Sequence, residues 1–143
     1  MSLARVLVVD DFEDWRQRIC EIFEESRDLL VVRLVSDGLE AVRQAQELQP
    51  DLIVLDVDLP SLNGIDAARL IHDLCPATKI LFLSLNSDLD VVRAALGAGG
   101  HGYVLKTLAV PELLAGARAV VAGKQFVGSG LASLDRRSRD PKS

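Results

Sequence analysis

Four short apolar runs in this chain each end in a polar group that can do chemistry. Arg5-Val6-Leu7-Val8-Val9 ends at Asp10-Asp11, Leu52-Ile53-Val54-Leu55 at Asp56, Ile80-Leu81-Phe82-Leu83 at Ser84, and Gly102-Tyr103-Val104-Leu105 at Lys106. Runs this short and this continuous read as strands buried on both faces, not as helices or half-wet strands. In an open parallel sheet, ligands bind beyond the carboxyl ends of the strands. The three carboxylates, the Ser84 hydroxyl and the Lys106 ammonium are therefore expected to share one crevice.

Carboxylates crowded together repel: a pair at ~4 Å costs on the order of 4 kcal/mol at an effective dielectric near 20. A cation must compensate. A site built from oxygen alone, with room for water and phosphate, suits Mg²⁺, whereas Zn²⁺ would call for His or Cys. Asp11 and Asp56 are expected as direct ligands, with Asp10 holding a coordinated water. Lys106 adds a compact positive charge suited to a phosphoryl oxygen, and Ser84 can donate to another. Together these groups would cradle a phosphoryl group on Asp56, which is most of what phosphoryl transfer asks of a protein.

The elements that must position these groups are readable in order. After Asp10-Asp11, apolar residues at Trp15, Ile19, Ile22 and Phe23 have helical spacing, with acidic residues at the N-terminal end. Leu29 to Val35 is a further apolar run, followed by a cap at Ser36-Asp37-Gly38 and a helix to about Leu48. Asn63 can cap a helix carrying Ala67, Ala68, Ile71, Leu74 and Cys75, which Pro76 stops. Ser87-Asp88-Leu89-Asp90 reads as a capping box ahead of Val91, Val92, Ala95 and Leu96, and Gly99-Gly100 can end that helix. Pro111 suits the first turn of a last helix, with Leu113, Ala117, Val120 and Val121 inward and Gly123 closing it. Strands and helices alternate, so the expected fold is α/β: a five-stranded parallel sheet with helices on both faces and right-handed crossovers.

The chain has 143 residues, 49% hydrophobic and 26% charged, which fits one soluble domain. No apolar run approaches the roughly 20 residues that span a bilayer, and no signal-peptide pattern opens the chain, so a cytoplasmic protein without a membrane partner is expected. Cys20 and Cys75 lie on apolar helical faces without metal-ligand spacing and read as reduced packing residues. A formal net charge of −5 argues against nonspecific nucleic-acid binding. Residues 127–143, with Arg136, Arg137, Arg139 and Lys142, read as a disordered tail or the start of a linker, leaving 1–126 as the domain. His72 and His101 read as surface and loop residues, Arg93 and Arg118 as solvated, and Trp15 as packing that can also report on the acidic pair.

The five strand-end residues together resemble the receiver domain of a bacterial two-component response regulator, over about residues 4 to 126. The resemblance implies the flavodoxin-like strand order 2-1-3-4-5. It implies that Asp56 takes a phosphoryl group from a phosphohistidine of a sensor histidine kinase or phosphotransfer protein, with Asp10 and Asp11 as the acidic pair and Mg²⁺ as cofactor. The backbone carbonyl of Asp58 would complete the metal shell. Pro60 and Gly64 match the loop after the acceptor. Ser84 takes the switch hydroxyl position, Tyr103 the switch aromatic and Lys106 the family lysine. On switching, Ser84 moves toward the phosphate and Tyr103 follows inward, altering the last helix-strand-helix surface. Slow self-dephosphorylation is implied in place of enzymatic turnover, with homodimerisation on phosphorylation as a further expectation. The stretch from Ala94 to Lys106 is similar to NarL/LuxR-type receivers, which usually precede a DNA-binding domain; the residues present are expected not to bind DNA themselves.

Two positions depart from the family pattern. Leu85 stands where many receivers carry Ala, a bulk that bears on access to the phosphoryl group. Thr107 follows Lys106 where many have Pro, and a cis bond there without Pro would cost roughly 3 kcal/mol. Two other readings compete. Asp56-Val57-Asp58 superficially resembles the nucleophile motif of haloacid-dehalogenase-like phosphatases, although that family expects Thr or Val in place of Pro60 and places the motif on an early strand. A stand-alone or pseudo-receiver, serving as a protein-interaction module, would keep the fold with or without the chemistry.

Overall fold

In the computed structural model, which describes residues 3–131, alternation along the inner strands divides their side chains between two apolar layers. Strands β1 (Ala4–Val9), β2 (Leu29–Val35), β3 (Leu52–Leu55), β4 (Lys79–Ser84), β5 (Gly102–Leu105) and β6 (Phe126–Val127) form one parallel sheet in the order β2-β1-β3-β4-β5-β6. Val6, Val8, Leu52, Val54, Leu81, Leu83 and Val104 face one layer, where helices α1 (Glu13–Glu24) and α5 (Ala109–Val121) contribute Ile19, Phe23, Leu113 and Val120. Leu7, Val9, Ile53, Leu55, Ile80, Phe82 and Tyr103 face the other, covered by α2 (Gly38–Leu48), α3 (Gly64–Leu74) and α4 (Leu89–Gly97). Burial on both faces is why the inner strands lack the alternation of a half-exposed strand.

The helices begin where local chemistry satisfies their free N–H groups. The Asp37 carboxylate accepts from Glu40 N–H at 2.8 Å, Asn63 Oδ1 from Asp66 N–H at 2.9 Å, and Asp88 from Asp90 N–H at 2.9 Å. Asp88 thus caps α4 in place of the expected Ser87. Helix α1 has no side-chain cap; instead Phe12 N–H donates to Asp10 Oδ1 at 3.0 Å, which ties the helix start to the end of β1. Both cysteines are free, Cys75 buried and Cys20 half-buried, and burial, then the Glu24 charge, pushes the Cys20 thiol up.

Two expectations change. The sheet has a sixth strand, and ordered structure continues past the expected boundary at 126 to a 3₁₀ turn at Ser129–Leu131. Phe126 and Val127 pair with Gly102 and Tyr103, the Phe126 ring lies against the bare face of Gly116, and Leu131 is 1% exposed within the core. Two residues are too few to show periodicity; the partner strand makes β6. The basic residues of the expected tail lie outside the described residues. No cis peptide bond occurs among the described residues, so Lys106–Thr107 is trans.

His101 lies in the loop ahead of β5, as expected, and makes a contact that no sequence pattern marks. Its Nδ1 accepts the Ile80 N–H at 3.0 Å, which fixes the start of β4 and requires the neutral ring. Burial, then the charges of Lys79 and His72, hold its pKa below the ordinary 6.5. The unfolded chain then binds the proton more readily, so this contribution to stability is complete above pH 6.5 and is lost as pH falls below it. His101→Asn, which keeps an acceptor without a proton equilibrium, is expected to flatten the stability profile between about pH 5 and 7 in urea titrations. A parallel decline in both proteins would remove His101 as the cause.

Candidate functional site

Because β1, β3, β4 and β5 run parallel and in register, Asp10, Asp56, Ser84 and Lys106 all emerge at one sheet edge. Asp10 is 1% exposed, Asp56 5%, Ser84 0% and Lys106 4%. Asp11, next in sequence, is exposed. Carboxylate oxygens of Asp10, Asp11 and Asp56 lie within 4.8 Å of one another.

Lys106 Nζ stands 2.7 Å from Asp10 Oδ2 and 2.8 Å from Asp56 Oδ2, bridging two elements that sequence had placed only side by side. Contact with Asp56 is a directed hydrogen bond, whereas that with Asp10 is a close ion pair of poorer hydrogen-bonding geometry, and no other donor reaches Asp10 Oδ2. Burial alone would lower the Lys106 pKa, but Asp10 and Asp56 together outweigh it and hold the ammonium above its ordinary value. Burial raises the Asp10 pKa, an effect that Lys106 and the Phe12 N–H only partly offset. An under-partnered buried oxygen beside two further carboxylates is an oxygen-only donor set, and these residues fit Mg²⁺. The Asp58 N–H leans toward Asp56 Oδ1 at 3.4 Å.

Hydroxyl and aromatic positions are joined through a residue the sequence did not point to. Asn86 N–H donates to Ser84 Oγ at 3.1 Å, and the Asn86 carbonyl accepts the Tyr103 hydroxyl at 2.7 Å. An Asn two residues past a strand reads as an ordinary turn residue, and nothing in its local pattern signals the contact. Tyr103 is fully buried, with its ring 6.0 Å from Phe82. Burial is the main cause that pushes the Tyr103 phenol up to about 12. From Tyr103 the connection continues: its carbonyl accepts the Gly128 N–H at 2.9 Å. Leu85 is 62% exposed.

Three further contacts hold the site in place. Arg16 Nη1 donates to the Asp10 carbonyl at 2.8 Å. Trp15 is more than packing, since Lys106 Nζ lies 4.9 Å from its ring centroid. Gly64 brings α3 onto the end of β3: its N–H donates to the Val57 carbonyl at 2.7 Å, beside Asp56.

Comparison with known proteins follows the same lines. Residues 6–118 match the family model described as the response regulator receiver domain. The transcriptional activator protein ExaE of Pseudomonas putida is 34% identical over 128 residues, covering 90% of this chain and 60% of that protein. The protein-glutamate methylesterase/protein-glutamine glutaminase of Thermotoga maritima is 44% identical over 105 residues, 73% of this chain and 30% of that enzyme. This chain thus spans less than two thirds of either relative. Among solved structures, a LuxR-family two-component response regulator from Aurantimonas sp. SI85-9A1 superposes with a TM-score of 0.90 at 31% identity, covering 96% of this chain and 99% of that one. Among the described residues, no helix is long and apolar enough to cross a membrane.

Proposed function

The chain belongs to the response regulator receiver domain family, and from that premise we propose that Asp56 is the phosphoryl acceptor of a two-component pathway. The observation that carries this reading is the buried Asp56 carboxylate, hydrogen-bonded to Lys106 at 2.8 Å and gathered with Asp10 and Asp11 at one sheet edge. The donor is a phosphohistidine on a sensor histidine kinase or a phosphotransfer protein. An Asp56 oxygen forms the new bond to phosphorus; the P–N bond breaks and its electron pair stays on the imidazole, which takes a proton from solvent. Asp11 and Asp56 would hold Mg²⁺ directly, Asp10 through a water, and the Asp58 backbone carbonyl would complete the set. Bound there, the metal would neutralise charge on the phosphoryl oxygens and on Asp56. Lys106 meets one phosphoryl oxygen and Ser84 another.

The reading extends to the output. Ser84, Asn86 and Tyr103 form a hydrogen-bonded route from the site to β5, and a shift of Ser84 toward the phosphoryl group biases the surface of α4, β5 and α5. By likeness to ExaE, the regulated process is transcription, delivered through an output domain outside the receiver. Homodimerisation on phosphorylation completes the proposal, with size-exclusion chromatography as its check.

Intact-protein mass after incubation with acetyl phosphate and Mg²⁺ tests the acceptor. One phosphoryl adduct is expected on wild type, none on Asp56→Asn, and little on wild type in chelator. Absence of an adduct from protein folded by circular dichroism would leave a pseudo-receiver, an interaction module without the chemistry. Steady release of phosphate from a phosphate ester would instead indicate a phosphatase.

A further inference from the structure

We propose that Trp15 is a positioning residue for Lys106, and that its ring sets how fast Asp56 gains and loses its phosphoryl group; this rests on the acceptor reading above. A lysine ammonium on a flexible four-carbon stem has many accessible poses. Here it is held by an ion pair with Asp10 Oδ2 at 2.7 Å and a hydrogen bond to Asp56 Oδ2 at 2.8 Å. The third neighbour is the Trp15 ring, 4.9 Å from Nζ to its centroid and within reach of the attraction between a cation and an aromatic face. Lys106 is 4% exposed, so that attraction acts on a desolvated charge, where it is strongest.

The ring is itself held. It lies in the first turn of α1 and packs against the core shared by α1 and α5. On either side of it, Phe12 N–H grips the Asp10 carboxylate and Arg16 grips the Asp10 carbonyl, at 3.0 and 2.8 Å. One helical turn therefore fixes both an anionic partner of Lys106 and its aromatic neighbour. When a phosphoryl group occupies Asp56, the ammonium has to pass from carboxylate oxygen to phosphoryl oxygen. The ring confines it to that short movement and keeps water from its far side.

Both directions of the chemistry draw on the same ammonium. With acetyl phosphate, an Asp56 oxygen bonds to phosphorus while the P–O bond to acetate breaks and its electron pair leaves on acetate. In hydrolysis, a water oxygen bonds to phosphorus, the pair of the Asp56 O–P bond returns to the carboxylate, and the water's proton goes to solvent. Lys106 contacts the phosphoryl oxygens in each case, so loosening it slows both.

The test compares wild type, Trp15→Phe and Trp15→Leu for adduct formation with acetyl phosphate and Mg²⁺ and for adduct decay. It repeats Trp15→Leu in a Lys106→Met background. Trp15→Leu is expected to slow both rates about three- to tenfold, Trp15→Phe to stay within about twofold of wild type, and Trp15→Leu to add nothing once Lys106 is gone. A Phe variant as slow as the Leu variant, or an equal Leu effect with and without Lys106, would overturn the proposal. If Lys106→Met does not fold, the contrast of Phe with Leu decides. Trp15 is the one Trp in the chain, so its fluorescence reads the contact directly. Emission is expected to change as the adduct forms; unchanged emission on fully modified protein counts against the inference. No adduct on wild type would instead sink the acceptor reading. Trp15 emission in unmodified wild type and Lys106→Met then tests the contact alone, and identical spectra would overturn it.

Discussion

Lys106→Met is expected to lower the stability of the metal-free protein by roughly 3–5 kcal/mol, as removal of one partner from a buried ion pair commonly does. The loss comes less from the missing attraction than from what stays behind. Asp10 and Asp56, 1% and 5% exposed, would keep two carboxylates out of water with no cation between them. Asp10 Oδ2 already lacks a hydrogen-bond partner beyond that ion pair, so nothing else compensates it. Urea unfolding in chelator gives the measurement. A second substitution, Asp10→Asn, is expected to return part of the stability to Lys106→Met by removing one of the two stranded charges, while in wild type it removes a partner of the ammonium. Opposite signs in the two backgrounds would be the mark of a coupled charge cluster. Additive effects would show that the three groups act independently, contrary to distances of 2.7 and 2.8 Å.

Gly64→Ala is expected to damage both the fold and the acceptor. A Cβ at Gly64 would stand 1.9 Å from the Asp56 carbonyl oxygen and 2.8 Å from Val57 Cα, backbone atoms that no change of rotamer can move aside. Helix α3 would have to lift from the end of β3, breaking the 2.7 Å bond from Gly64 N–H to the Val57 carbonyl. Overpacking of this kind costs about 1–3 kcal/mol, at times more. Displacing a reacting group by about 1 Å can cost on the order of a hundredfold in rate, so adduct formation at Asp56 is expected to fall at least tenfold even where the variant stays folded. Gly97→Ala is the control. It ends α4 with nothing within 4 Å of a built Cβ, and it is expected to leave adduct formation unchanged. Equal rates for Gly64→Ala and wild type would mean that α3 does not set the acceptor's position.

Both predictions turn on residues that sequence reading reached by different routes. Lys106 was visible because an ammonium follows a buried apolar run, and the same pattern exposed Asp10, Asp56 and Ser84. Gly64 was visible only through resemblance to a family, since a glycine ahead of a helix reads equally well as an ordinary turn. Its physical reason, the approach of α3 to the Asp56 carbonyl, appears only when the two segments are placed together. His101 shows the limit of local reading at a loop position. A lone histidine between glycines gave no signal of partnership, yet its Nδ1 holds the start of β4.

The strand ends, the helix starts and the kinds of groups at the site were determined by the sequence alone, because they follow from local rules. A strand buried on both faces must be apolar throughout, the first polar residue marks where it emerges, and Asp37 and Asn63 satisfy N–H groups only three residues away. Tertiary structure alone decided which groups touch. Lys106 meets Asp56 across 50 positions of sequence, and Trp15 reaches the same ammonium from the first turn of α1. Asn86 joins Ser84 to Tyr103, and β6 exists because β5 offers it an edge. Such contacts leave no periodic trace: each depends on one side chain or on two residues, and its energy is realised only once distant elements have already been packed together.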